Sequence, residues 1–71
     1  MADQTYAITH IVGTSKTGVD DAIRNGIATA RQSLRNLDWF EVDEIRGYIG
    51  DGADGDYVQV TMKIGFRYEP S

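Results

Sequence analysis

Residues 57–68 alternate between apolar and polar side chains, and this segment constrains the fold more than any other part of the sequence. Its apolar residues are Val58, Val60, Met62, Ile64 and Phe66. A period of two residues places these side chains on one face of a β-strand. The strand therefore needs an apolar surface against that face, while Gln59, Lys63 and Arg67 lie on the other.

Residues 19–36 are predicted to form the helix that supplies this surface. Apolar residues recur here at intervals of three and four, which is the spacing of one helical face; they are Val19, Ile23, Ile27, Ala30, Leu34 and, just beyond, Leu37. Gly26 costs a helix interior up to about 1 kcal/mol relative to alanine, which indicates a close approach to a neighbouring element. Asn36 is the predicted end of the helix.

Two further strands are predicted at residues 5–12 and 39–49, because both segments are rich in β-branched and aromatic residues. Residues 13–18, rich in glycine and hydroxyl side chains, separate the first strand from the helix, and residues 50–56 form a hairpin turn. The order strand, helix, strand, strand predicts a single α+β domain over residues 1–71. In this β-α-β-β fold one helix packs on a three-stranded antiparallel sheet.

The second strand carries a predicted irregularity. Phe40 and Val42 share one face, but Ile45 is out of phase with them. One extra residue near Asp43 and Glu44 restores the alternation, so we expect a β-bulge there.

The size of the chain predicts association. A chain of 71 residues buries only about 60% of its unfolded surface, and domains this small are usually stabilised by disulfides, metals or partners. The sequence has no cysteine and a single histidine, His10, which argues against disulfides, a cysteine nucleophile and a histidine metal site. Oligomerisation is the stabilising device that remains.

Charge and hydropathy exclude several classes of function. Seven basic residues against eleven acidic ones give a net charge of −4, which is unlike the basic footprint of a nucleic-acid-binding protein. No run of 18 apolar residues is present, so no membrane association is expected. Residues 1–4 lack the features of a signal peptide, and we expect a cytoplasmic location.

No catalytic or metal-binding motif is recognisable. Ser15 and Ser33 have no histidine evidently placed beside them, as a nucleophile would need. In residues 13–18 the second glycine, Gly18, is not followed by the Lys-Ser/Thr pair of a phosphate loop, and the acidic residues of 50–56 lack the distal glutamate of an EF-hand. We therefore expect neither catalytic residues nor metal ligands, and no enzyme activity.

The candidate binding residues lie on the polar face of the sheet. If Phe40 faces the helix, Trp39 faces away, as either a subunit contact or a stacking surface; the residues alone favour the contact. Gln59 could hydrogen-bond the edge of a ring, and Arg46 and Arg67 could bind phosphate. For these three side chains a solvated surface role is the simpler interpretation.

Taken together, these segments resemble the dodecins, a family of small flavin-binding proteins that assemble as hollow dodecamers. The matching stretches are spread over nearly the whole chain: Ile11–Ser15, Leu37–Val42, Glu44–Gly47 and Gln59–Arg67. The resemblance implies a sheet wrapped around the helix and a homo-oligomer of twelve subunits.

The resemblance also implies a function, the storage and protection of flavin. In the family, paired flavins stack at subunit interfaces on the tryptophan matched by Trp39, and the glutamine matched by Gln59 bonds the ring edge. Arginines matched by Arg46 and Arg67 in bacterial members approach the phosphate of FMN or coenzyme A. The implied cofactor is FMN or riboflavin, with coenzyme A as an additional candidate.

Two alternatives stay open. The chain could be an oligomeric interaction module in which Trp39 is a subunit contact, and Trp39→Ala would then break the assembly. It could also be a small FMN-dependent redox protein, which steady turnover of NADH would reveal.

Overall fold

The computed structural model describes residues 3–68, so residues 1, 2 and 69–71 of the predicted domain lie outside it. Within the described residues the elements are β1 (Tyr6–Ser15), α1 (Val19–Arg31), β2 (Leu37–Tyr48), a 3-10 turn (Ala53–Gly55) and β3 (Tyr57–Arg67). The strands form one antiparallel sheet in the order β1-β3-β2. This confirms the predicted α+β fold with β-α-β-β order.

β3 is the central strand, and its alternation determines where the core lies. Val60, Met62 and Ile64 are buried, each with at most 1% of its surface exposed. The helix covers them with Ala22 and Ala30. The apolar face predicted for residues 57–68 is therefore the face that packs on the helix.

β1 extends to Ser15, three residues beyond its predicted end, because residues 13–15 still pair with β3. The prediction that Gly13 breaks this strand is wrong. The glycine instead lets the helix cross the strand closely, since a Cβ on Gly13 would lie 2.0 Å from the carbonyl oxygen of Ala22. The same crossing accounts for Gly26, where a Cβ would lie 3.3 Å from the Cα of Gly13.

The helix ends at residue 31, five residues before the predicted end at Asn36. The Ser33 amide donates to the Ala30 carbonyl, an i→i−3 bond of the kind that tightens a last turn. Asn36 has a φ of 61°, a left-handed conformation that asparagine tolerates, and it reverses the chain into β2. The helical spacing appeared to continue because Leu34 and Leu37 also pack on the core, from a turn and from a strand.

β2 contains the predicted bulge and a second one. Its register against β3 shifts between Val42 and Glu44, which leaves Asp43 as the extra residue and confirms the prediction. A further shift between Leu37 and Trp39 was not predicted. Bulges bend and twist an edge strand, which limits its pairing with other chains.

The helix packs on β1 and β3 and leaves the inner side of β2 open. Three apolar residues of that side are exposed: Phe40 (46%), Val42 (37%) and Ile45 (54%). The subunit measures 55 × 21 × 14 Å with a radius of gyration of 14.7 Å, against about 11 Å for a compact domain of this length. An open apolar face of this kind is typical of a surface that contacts another protein.

The crossing of α1 over β1 yields a stability prediction. We expect Gly13→Ala to lower the free energy of unfolding by about 1–3 kcal/mol, the usual cost of overpacking, because the added methyl collides with the helix backbone. Gly18→Ala is the matched control, since a Cβ there meets nothing within 4 Å. Denaturation followed by far-UV circular dichroism at one fixed protein concentration compares the two variants. Equal midpoints would contradict the close crossing.

Candidate functional site

The face of the sheet opposite the helix carries all four candidate binding residues, and we call it the outer face. The register pairs Trp39 with Gly65 and Arg46 with Gln59. Because directly paired residues point to the same side of a sheet, Trp39 and Arg46 lie on the face of Gln59 and Arg67. Trp39 therefore projects away from the helix, as its position before Phe40 predicted.

The structure does not bring these four residues together. Near one end of β3, Trp39 lies opposite Gly65 and Arg67 follows two residues later along the strand. Arg46 and Gln59 lie opposite each other near the other end. Gly65 lies six positions along β3 from Gln59, which corresponds to about 20 Å. We call these places the Trp39 end and the Gln59 end of the outer face. The distance between them exceeds the span of a planar three-ring ligand.

At the Trp39 end, the indole ring covers the backbone of β3. A Cβ built on Gly65 would lie 2.1 Å from Cε2 and 2.2 Å from Cζ2 of Trp39. The tryptophan nevertheless keeps 39% of its surface exposed. One side of the ring system thus rests on the sheet, and the exposed part is available for stacking.

A hydrogen bond links the two edge strands beside this indole. The Tyr6 hydroxyl on β1 donates to a carboxylate oxygen of Asp38, the extra residue of the first bulge, at 3.0 Å. This bond raises the pKa of Tyr6 above its ordinary value, while the nearby charge of Arg67 acts in the opposite direction. Arg67 is paired with Tyr6 in the sheet, so a cation lies close to the Trp39 end.

At the Gln59 end, Arg46 lies directly opposite Gln59. Its guanidinium donates to a carboxylate oxygen of Glu44 at 2.9 Å, and both side chains are exposed. The hydrogen bond from Arg46 to Glu44 raises the pKa of the guanidinium above its usual range. An amide and a permanent cation are therefore adjacent here, and the cation is in contact with an anion.

Two stacked tyrosines, which the sequence did not lead us to predict, lie beside the Gln59 end. The rings of Tyr48 and Tyr57 are stacked with centroids 4.9 Å apart and planes 3° from parallel. They are paired in the register next to Arg46 and Gln59. The sequence does hold a signal for them, because the two tyrosines lie on either side of the predicted turn.

A charged strip separates the two ends of the outer face. The carboxylate of Asp43, the extra residue of the second bulge, lies 3.4 Å from Nζ of Lys63 and 4.0 Å from Nδ1 of His10. These atoms are only partly shielded from water, where ion pairs contribute little to stability. Within residues 3–68 no group of three or more His, Cys, Asp or Glu side chains could hold a metal ion.

Ser15, the hydroxyl considered as a nucleophile, is engaged in the turn between β1 and α1. Its oxygen accepts the amide of Thr17 at 2.9 Å and its hydroxyl donates to Asp21 at 2.8 Å. The bond from Ser15, followed by one from the Thr17 hydroxyl, holds the pKa of Asp21 below its ordinary value. These contacts favour a structural role for Ser15.

The described residues also include no helix long and apolar enough to span a membrane.

Comparisons with known proteins give a consistent result. A family model described as Dodecin matches residues 5–69. A dodecin from Thermus thermophilus is 48% identical over 66 residues, which cover 93% of this chain and 94% of that protein. The solved structure of a dodecin from Streptomyces davaonensis is 58% identical with a TM-score of 0.87, covering 97% of this chain and 100% of that one. A dodecin from Streptomyces coelicolor is 50% identical with a TM-score of 0.89, and the match covers 100% of both chains.

Proposed function

The chain belongs to the dodecin family, whose members are small oligomeric proteins that bind flavins, and on that premise we propose that it stores FMN or riboflavin at the interfaces between its subunits. The observation that carries this proposal is the placement of Trp39. Its indole rests on Gly65 and still exposes 39% of the residue surface. A supported, partly open aromatic ring is suited to stacking on a planar ligand.

The distance between the two ends of the outer face supports a site shared by more than one subunit. A flavin stacked on Trp39 lies about 20 Å from Gln59 of the same chain along β3. The amide that bonds the ring edge must therefore come from another copy. A closed homo-oligomer, a dodecamer in our proposal, would supply that copy and cover the exposed apolar residues of β2.

Stacking on an indole also provides the protective function. Tryptophan can donate an electron to a photoexcited flavin in contact with it, and the electron then returns from the flavin to the indole. The cycle quenches the excited state and leaves no net chemical change. In this proposal the protein has no substrate to convert and is not an enzyme.

The two arginines give the site its proposed preference for a phosphorylated flavin. A guanidinium can bind phosphate through two parallel hydrogen bonds, and each end of the outer face has one, Arg67 near Trp39 and Arg46 beside Gln59. Binding of phosphate by Arg46 would compete with its 2.9 Å contact to Glu44. Coenzyme A, which also carries phosphate, is an additional candidate ligand for the same cations.

Substitution of Trp39 separates stacking from quenching. We expect the wild-type protein to quench FMN fluorescence saturably in a titration, and Trp39→Ala to weaken binding by about 10- to 100-fold, the usual cost of losing one aromatic stacking contact. Trp39→Phe retains a stacking ring but is a poor electron donor. It should therefore bind more tightly than the alanine variant while quenching much less than the wild type.

Light scattering on the same samples distinguishes flavin binding from a purely structural role of the tryptophan. The flavin proposal expects Trp39→Ala to remain assembled. Loss of the assembly together with an absence of quenching by the intact wild-type protein would favour an interaction module instead.

Substitution of Arg46 tests phosphate recognition. We expect Arg46→Ala to weaken FMN binding by about tenfold or more, the value of a charge-assisted hydrogen bond, and to leave riboflavin binding nearly unchanged because riboflavin has no phosphate. Glu44→Gln removes the competing carboxylate and should strengthen FMN binding. Arg24→Ala, an exposed helix residue on the other side of the sheet, is the matched control. An equal loss of affinity for FMN and riboflavin would show that Arg46 does not recognise the phosphate.

A further inference from the structure

Gly65 is distinctive among the outer-face residues of β3. It alone lacks a side chain among the outer-face positions from 57 to 67, and it is buried, whereas the others on that face are partly exposed. Burial of a backbone on an otherwise open face requires a cover. That cover is the indole of Trp39, its direct partner in β2.

The ring covers Gly65 with its face. The three ring atoms nearest to a Cβ built on Gly65 are Cε2 at 2.1 Å, Cζ2 at 2.2 Å and Cδ2 at 2.7 Å. Cε2 and Cδ2 form the bond that fuses the two rings, so the middle of the indole lies over the glycine. An approach by the edge would instead bring outer ring atoms closest.

A glycine at this position has a structural cost that needs an explanation. Glycine weakens the interior of a strand and is found where another group approaches the backbone closely. Here the approaching group is an aromatic ring of the same chain. On its other side, Gly65 is paired with Ile8 of β1, whose side chain lies on the same face. Trp39, Gly65 and Ile8 therefore lie side by side across the three strands, with the bulky aliphatic residue at one end.

We propose that Gly65 is a positioning residue for the ligand: its missing side chain seats the Trp39 indole flat on the sheet and fixes the plane on which a flavin stacks. This inference rests on the proposed flavin function. A Cβ on any other residue would occupy space that the ring fills, so the ring would tilt or move away. Stacking demands parallel planes, so a tilted indole presents a poorer surface to a planar ligand.

The first test needs no ligand. Trp39 is the only tryptophan in the sequence, so the indole signal in near-UV circular dichroism comes from this residue alone. We expect Gly65→Ala to change that signal strongly while the far-UV spectrum keeps its wild-type form. Gly18→Ala, where an added Cβ meets nothing within 4 Å, should keep both spectra. An unchanged indole signal in Gly65→Ala would overturn the proposed role of Gly65 in placing the indole.

The second test measures FMN binding by fluorescence quenching. We expect Gly65→Ala to bind FMN about tenfold more weakly or worse, with more residual fluorescence at saturation, and Gly18→Ala to match the wild type. Wild-type affinity and quenching in Gly65→Ala would overturn the inference even if flavin storage itself is correct. If the wild type does not quench FMN, the proposed ligand-binding roles of Trp39 and Gly65 are both wrong. The near-UV spectrum still shows whether Gly65 determines how the indole packs on the sheet.

The double variant Trp39→Ala/Gly65→Ala keeps the inference testable if Gly65→Ala fails to assemble. Once the indole is absent, the three atoms that lie nearest to the added methyl are gone. Recovery of assembly in the double variant would support a role that acts through Trp39. Continued failure, when Trp39→Ala alone assembles, would show that Gly65 serves the fold directly and would overturn the inference.

Discussion

The close crossing of α1 over β1 is the contact on which the rest of the structure depends. Gly13 and Gly26 meet there, and even one methyl on Gly13 would collide with the helix backbone. The crossing holds the helix over β1 and β3, so it cannot also cover β2. Phe40 and Ile45 remain exposed on the inner side of that strand, and the subunit is elongated where an isolated domain would be compact. In our proposal other copies of the chain cover these residues, because no other element of the described chain is placed to do so.

The same geometry underlies our proposal that one chain alone cannot complete the binding site. β3 holds its apolar residues against the helix and therefore turns Gln59 and Gly65 to the outer face, about 20 Å apart. Each end of that face offers a different chemistry. The Trp39 end provides a ring supported by bare backbone, and the Gln59 end provides an amide beside a guanidinium. In our account, assembly joins the two ends of different subunits around one ligand, so stability and flavin binding depend on the same contacts.

Local patterns in the sequence predicted most of the fold. The alternation of residues 57–68 identified the central strand and its buried face, and the phase error at Ile45 identified the bulge at Asp43 because an extra residue shifts every later side chain. The bulge beside Leu37 lies at the start of its strand, where too few residues precede it to show a change of phase. Gly13 was interpreted as a strand end because local rules do not reveal a helix packed against the backbone.

The candidate site was predictable only in part. Residue type and strand face indicated Trp39 and Gln59 as candidates, and only the resemblance to dodecins gave them binding roles. Their separation depends on the register between β2 and β3. Gly65 gave no signal, because a glycine in a polar row resembles a neutral surface position. The structure of the assembled protein with FMN tests the central claim most directly. Our account predicts an isoalloxazine ring parallel to the Trp39 indole of one subunit, with Gln59 of a different subunit about 2.7–3.2 Å from the ring edge. A flavin bound away from Trp39, or held by the residues of a single subunit, would contradict it.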